Sequence, residues 1–122
     1  MNGQYLSIPG MKAGASFASK QYTPVKLSST AADTVLQATT TAMWAVGIIQ
    51  NDPASGESAE VACLGISRAV AGTSTITRGT TLSYNSTGVV NVTAGKVFAL
   101  ALQAAGAVGD LIWVQIIGAR PY

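Results

Sequence analysis

The chain has 122 residues, of which 48% are hydrophobic and only 10% are charged, and its net charge is +2. This is the length of one domain, and ordinary soluble domains carry about 25% charged residues, so much of the surface must be Ser, Thr, Gly, Ala and Gln. The seven basic residues are scattered along the chain, which excludes a basic stripe for a phosphate backbone, and nucleic acid is not an expected partner.

The content of histidine and cysteine limits the chemistry further. There is no histidine and only one cysteine, Cys63. Ser-His-Asp and Cys-His nucleophilic arrangements are therefore impossible, and a zinc site lacks its usual ligands. One cysteine cannot form an intrachain disulfide, and the first residues do not form a basic-then-apolar signal, so we expect intracellular synthesis.

Residues 1–20 are rich in Gly, Ser and Ala and show no sustained hydrophobic period. We expect an extended N-terminal arm that is loose alone and becomes ordered against a partner. A frayed terminus without a role is the alternative. The expected contact residues of the arm are its apolar and aromatic side chains: Tyr5, Leu6, Ile8, Pro9, Met11 and Phe17.

From residue 22 onward, short apolar runs rich in Val, Ile, Thr and aromatic residues alternate with Gly, Asn, Asp and Ser, which is typical of strands and turns. The predicted strands span residues 22–28, 34–38, 44–49, 59–64, 66–70, 81–84, 89–92, 97–102 and 111–117. Strands at this spacing predict a single all-β domain over residues 21–122, either a β-barrel or a β-tulip-like sandwich. Residues 99–107 allow a short helix instead.

Residues 98–119 form the most apolar stretch, but Asp110, two glutamines and three glycines interrupt it. We therefore expect two strands around a turn rather than a membrane span, and no membrane partner.

Two segments of the chain resemble each other. Residues 49–65 and 102–118 align with Gln50 on Gln103, Gly56 on Gly109 and Gly65 on Gly118. Each segment is a strand, a loop closed by a Gly-acid pair and a second strand, which predicts two copies of one hairpin. In each loop we expect the glycine to have positive φ and the acid to accept hydrogen bonds from nearby backbone N–H groups. Chance similarity is the alternative. The predicted turn-forming residues of the two loops are Asn51, Asp52, Pro53, Gly56, Glu57, Gly109 and Asp110.

The carboxylates do not form a recognisable catalytic pair. Glu57 and Glu60 have opposite parity, so on a regular strand they face opposite sides, whereas paired-carboxylate catalysis needs two groups that converge. We expect no enzymatic activity and no cofactor. A weak calcium site at Asp52 and Glu57 is the remaining alternative for these acids. Gly95-Lys96 lacks the other positions of a phosphate-binding loop.

The two tryptophans, Trp44 and Trp113, are expected to anchor the core, with an exposed interface role as the alternative. Asn85 and Asn91 each begin a glycosylation sequon, but without a secretory signal we expect ordinary turn and strand residues.

Several stretches together resemble one family. They are the Tyr-x-Pro-Val-Lys-Leu run at 22–27, residues 45–57 and 61–69, the Arg-Gly-Thr-Thr-Leu entry at 78–82, the turn at 85–88, and the Ala-Leu-Ala-Leu run at 99–102 with Gly109-Asp110 and a closing apolar strand. Residues 22–118 thus resemble the small capsid decoration, or cement, proteins of tailed bacteriophages.

The resemblance implies a barrel-like or tulip-like protein on the outer face of an assembled phage head. It implies trimers at threefold and quasi-threefold positions that clamp neighbouring capsomers, with the major capsid protein and further copies of the chain as partners. The chain would be made in the host cytoplasm and end in the virion. The alternatives are a head-fibre base or tail subunit, and a carbohydrate-binding module, for which 7% aromatic residues is low.

Overall fold

A computed structural model of the chain describes residues 3–39, 44–91 and 96–121, and within these ranges the secondary structure consists of ten β-strands. No helix occurs in these ranges, so the predicted all-β class is confirmed and the alternative helix in residues 99–107 is excluded. In chain order the strands are β1 (Gln4–Ser7), β2 (Lys12–Ala13), β3 (Pro24–Leu27), β4 (Thr34–Gln37), β5 (Gly47–Ile49), β6 (Val61–Val70), β7 (Thr81–Tyr84), β8 (Val89–Asn91), β9 (Lys96–Ala101) and β10 (Leu111–Pro121).

The strands predicted from residue 22 onward all occur, with bounds that shift by a few residues. At Gly65 the sequence predicts a break between two strands, but β6 continues through this residue. Gly65 has φ +112°, and a Cβ here would collide with the carbonyl oxygen of Gln4 on β1. The glycine therefore lets a neighbouring strand approach closely instead of ending its own strand.

Hydrogen-bonded neighbours follow the order β2-β4-β3-β5-β6-β10-β9-β7-β8, and β1 pairs with β6 beside this path. The ladders are antiparallel except for the short parallel pair β2–β4. The sheet does not close, which corrects the barrel form of the prediction and is consistent with a single-domain sandwich. An isolated bridge between Ala71 and Val89 brings the β8 edge back towards the end of β6.

The sheet consists of two units that repeat the same connections, an N-terminal unit (residues 3–65) and a C-terminal unit (residues 66–121). In the first, β3 pairs with β4 and β5, and β5 pairs with β6. In the second, β7 pairs with β8 and β9, and β9 pairs with β10. Individual bonds repeat as well: the Gly14 N–H donates to the Val35 carbonyl (2.9 Å) as the Gly72 N–H donates to the Val89 carbonyl (2.7 Å). The similarity of the two hairpins thus extends over the described residues from β2 to β10.

The hydrophobic core repeats in the same way. Eight buried residues form a cluster in the N-terminal unit, and strand pairing and backbone hydrogen bonds assign each a counterpart that is buried in a second, larger cluster. The counterparts are Met11 and Ala69, Ala13 and Ala71, Phe17 and Ile76, Val25 and Leu82, Val35 and Val89, Ile49 and Ala101, Ala59 and Ile112, and Val61 and Val114. The larger cluster also contains Ile48 and Ala62 of the N-terminal unit, so the two units share buried surface.

The extended N-terminal arm is not confirmed, because residues 3–20 pack against their own chain. β1 pairs with β6, where Gln4 lies opposite Ile66. Met11 is 6% exposed and Phe17 is 1% exposed, and both fill the cluster of the N-terminal unit. Burying these two side chains favours a folded segment, and the Gly- and Ser-rich composition serves the turns between them.

Candidate functional site

The residues predicted to contact a partner from the N-terminal arm occupy different environments. Met11 and Phe17 are buried, so neither side chain is available to a partner in the folded chain, and this part of the prediction is corrected. Ile8 is half-buried and packs against the same cluster, while Pro9 is exposed in the connection between β1 and β2. Among the arm residues, the surface around Leu6 and Tyr5 is therefore the one best placed to meet another molecule.

β1 forms an edge of the sheet, because in the described ranges β6 is its strand partner and its other side carries no ladder. Leu6 on β1 lies opposite Leu64 on β6, and the two are 65% and 44% exposed. Residues directly opposite in an antiparallel ladder project from the same face. The Leu6–Leu64 patch is therefore an exposed apolar surface beside unpaired backbone N–H and C=O groups, the combination that accepts an added strand.

Tyr5 fastens this edge to the rest of the sheet. Its hydroxyl donates a hydrogen bond to the carboxylate of Glu60, which lies immediately before β6. The hydrogen bond, together with partial burial and the negative charge of Glu60, raises the pKa of Tyr5 to about 12. The phenol thus stays neutral and keeps its donor at any ordinary pH.

The two loops predicted to be equivalent, loop 1 (residues 51–58) and loop 2 (residues 103–110), have the same hydrogen bonds. Gly56 and Gly109 have φ +84° and +94°, as the sequence predicts. The Glu57 carboxylate accepts from the Ala54 N–H at 2.7 Å. The corresponding pair is the Asp110 carboxylate and the Ala107 N–H, at 3.0 Å.

The alignment of the loops differs from the prediction by one residue. The Asn51 side chain accepts from the Glu60 N–H at 3.0 Å, and the Gln103 side chain accepts from the Trp113 N–H at 2.9 Å. Asn51, not Gln50, is therefore the counterpart of Gln103. One additional residue in loop 2 separates this position from the Gly-acid pair, and an ungapped alignment cannot detect it.

Each loop borders a groove, and the two grooves differ in chemistry. The groove beside loop 2 has a volume of about 720 Å³, and Arg78, Leu102, Gln103 and Leu111 contribute to its lining. The groove beside loop 1 has a volume of about 340 Å³, and its lining includes Asp52, Glu57, Asn51, Pro53 and Ser58. The groove beside loop 2 thus offers leucine side chains and a guanidinium, whereas the groove beside loop 1 offers polar and acidic side chains.

The tryptophans are not the core anchors that the sequence predicts. Trp44 is 39% exposed, and the Lys96 ammonium lies 5.2 Å from its ring centroid. Trp113 is half-buried, with the Arg68 guanidinium 4.5 Å from its ring centroid. Arg68 lies opposite Trp113 in the β6–β10 ladder, and such cross-strand cation–π pairs are difficult to infer before the register is known.

The described residues bring no three His, Cys, Asp or Glu side chains together in a cluster that could hold a metal ion. Within those residues, no helix is long and apolar enough to cross a membrane. Asn85, which begins the first sequon, uses its side-chain amide to donate to the Gly72 carbonyl at 2.8 Å, as expected for a turn residue. Most of the second sequon lies outside the described residues, as does Gly95 of the Gly95-Lys96 pair.

Comparison of the chain with protein-family models, with curated proteins and with solved structures finds no match.

Proposed function

We propose that this chain is a capsid decoration protein that binds the outer surface of an assembled phage head and stabilises the shell. Its partners would be the major capsid protein and further copies of itself, with trimers placed at threefold and quasi-threefold positions. The sequence resemblance motivates the proposal, and the Leu6–Leu64 patch beside the open edge of β1 is the observation that supports it.

The composition of the chain supports the same kind of binding. Only 10% of its residues are charged, so affinity for a protein lattice would come from apolar burial and backbone hydrogen bonds. The binding would then vary little with salt, unlike that of a protein that tracks phosphates. Many weak contacts on one closed shell add up, because separating two capsid subunits would also require breaking the contacts of the bridging protein.

The test is attachment to undecorated heads of the virus that encodes the chain. We expect Leu6→Asp and Leu64→Asp to weaken attachment, because each places a charge in the apolar patch. Leu27→Asp is the matched control, since Leu27 is 46% exposed on β3, which β5 separates from β6. Attachment of both patch variants at the wild-type level would contradict a role for the patch.

Point variants are preferable to removing residues 1–20, because that deletion also removes Met11 and Phe17 from the core.

The number of copies per particle distinguishes a decoration protein from the alternative of a head-fibre base or tail subunit. A decoration protein occupies many equivalent sites on each head, whereas a protein at one vertex or on the tail is present in few copies. Quantitative gels of purified virions measure this number, and a low copy number would overturn the proposal.

A further inference from the structure

We propose that copies of this chain associate head to tail, with loop 1 of one copy seated in the groove beside loop 2 of the next. The occupant of the groove is thus a second copy of the chain. The inference deepens the proposed function, on which its trimeric form rests, by naming the surface through which copies meet.

The first observation is the difference in charge between the two units. Residues 1–65 contain four acids and three bases, a net charge of −1, whereas residues 66–122 contain one acid and four bases, a net charge of +3. The duplicated fold therefore carries opposite charge on its two halves. Two copies placed head to tail bring unlike halves together, and two copies placed head to head do not.

The second observation is local to the two grooves. Arg78 is exposed on the rim of the loop 2 groove and has no hydrogen bond or ion pair with the described part of the chain. Asp52 is exposed in loop 1 and likewise has no hydrogen bond or ion pair with the described part of the chain. Each groove therefore presents an unpaired charge, and the two charges are complementary.

The third observation is the apolar surface around Arg78. Leu111, which is 46% exposed, lines this groove together with Leu102, so the groove offers apolar area as well as a cation. The exposed tip of loop 1 is small, with Ala54, Ser55 and Gly56. A narrow loop that carries the carboxylates of Asp52 and Glu57 is complementary to a groove lined by leucines and a guanidinium.

The fourth observation is that the two grooves lie at opposite ends of the molecule. Loop 1 precedes Val61 at the start of β6, and loop 2 precedes Leu111, which lies opposite Val70 at the end of β6. The separation along a ten-residue strand is roughly 30 Å. A contact between different surfaces at opposite ends is heterologous, and it closes into a ring when the rotation between copies allows, with three copies in a trimer.

The test uses the purified full chain without capsids, in sedimentation equilibrium over a series of concentrations. The wild type is expected to self-associate. Asp52→Arg and Arg78→Asp should each weaken association on the order of tenfold, because each puts like charges in contact. Lys26→Asp is the control for the change in net charge, since Lys26 lies on β3 outside both grooves.

The decisive measurement is the double variant that carries both Asp52→Arg and Arg78→Asp, which again has unlike charges at every contact and should associate as the wild type does. In a ring of three copies, an equimolar mixture of the two single variants has unlike charges at only two of the three contacts. The mixture should therefore associate more strongly than either single variant alone but less strongly than the wild type. A monomeric wild type, or single variants that associate normally, would overturn the inference. Because no capsid is present, either result leaves the separate test of attachment to heads unaffected.

Discussion

Phe17 and Leu6 show how two apolar side chains in one segment reach opposite environments. Phe17 is 1% exposed and Leu6 is 65% exposed, although both belong to the same Gly- and Ser-rich stretch. Phe17 occupies the position that Ile76 fills in the C-terminal unit, and its backbone N–H donates to the Pro53 carbonyl at 2.9 Å. Phe17 and Ile76 are recognised as counterparts only when the repeat is followed beyond the two similar hairpins. The hairpins alone therefore do not indicate that the first residues belong to the core.

The stability of single variants tests this placement. We expect Phe17→Ala to lower the free energy of unfolding by about 3–5 kcal/mol, because it leaves a cavity in the cluster of the N-terminal unit. Leu6→Ala should change it by about 0.5 kcal/mol or less, because the side chain is already in solvent. Urea unfolding followed by circular dichroism measures both. Equally small effects of Phe17→Ala and Leu6→Ala would mean that residues 3–20 do not pack into the core.

At the scale of elements, the Gly-acid loop is the part of the fold that the sequence predicts best. Its glycine has positive φ and its acid accepts a backbone N–H three residues earlier in both copies. These features are local, so residue types and spacing are sufficient to predict them. β1 and β2 are missed, because they have four and two residues and their partners are distant in sequence.

The glycines of the two loops provide a matched experiment. We expect Gly56→Ala and Gly109→Ala each to lower the free energy of unfolding by about 1–2 kcal/mol, because both glycines have positive φ. Gly106→Ala is the control: it lies in loop 2, its φ is not positive, and a Cβ there meets no atom within 4 Å. Urea unfolding of the three variants measures this difference. A loss at Gly106 as large as at Gly109 would show that backbone conformation is not the cause.

At the scale of the whole molecule, the chain is two copies of one unit joined through β6. The sequence predicts the strands, the class of fold and one pair of equivalent hairpins. It does not predict that the first residues complete the first unit, because side chains at counterpart positions are as different as Met11 and Ala69. The candidate surfaces are harder still to predict from the sequence, because Leu6 lies opposite Leu64 only in a particular register between two strands that are distant in sequence.

The shared core predicts cooperative unfolding. Ile48 and Ala62 of the N-terminal unit are buried in the cluster of the C-terminal unit, so neither unit should melt alone. The N-terminal unit contains Trp44 and the C-terminal unit contains Trp113. The Trp113→Phe variant leaves Trp44 as the fluorescent reporter, and the Trp44→Phe variant leaves Trp113. In each variant, the fluorescence of the remaining tryptophan and the circular dichroism of the whole chain should change at the same urea midpoint. Two transitions in one variant would mean independent units.

The antiparallel β6–β10 ladder also determines how the molecule would bear a mechanical load. Loop 1 leads into the start of β6 and loop 2 into the start of β10, and the six facing residue pairs of the two strands lie between these starts. Tension between the loops therefore pulls the two strands lengthwise past each other. The hydrogen bonds of this ladder then resist the load together in shear instead of opening one after another. The stiffest direction of the protein therefore runs between the two ends that carry its grooves.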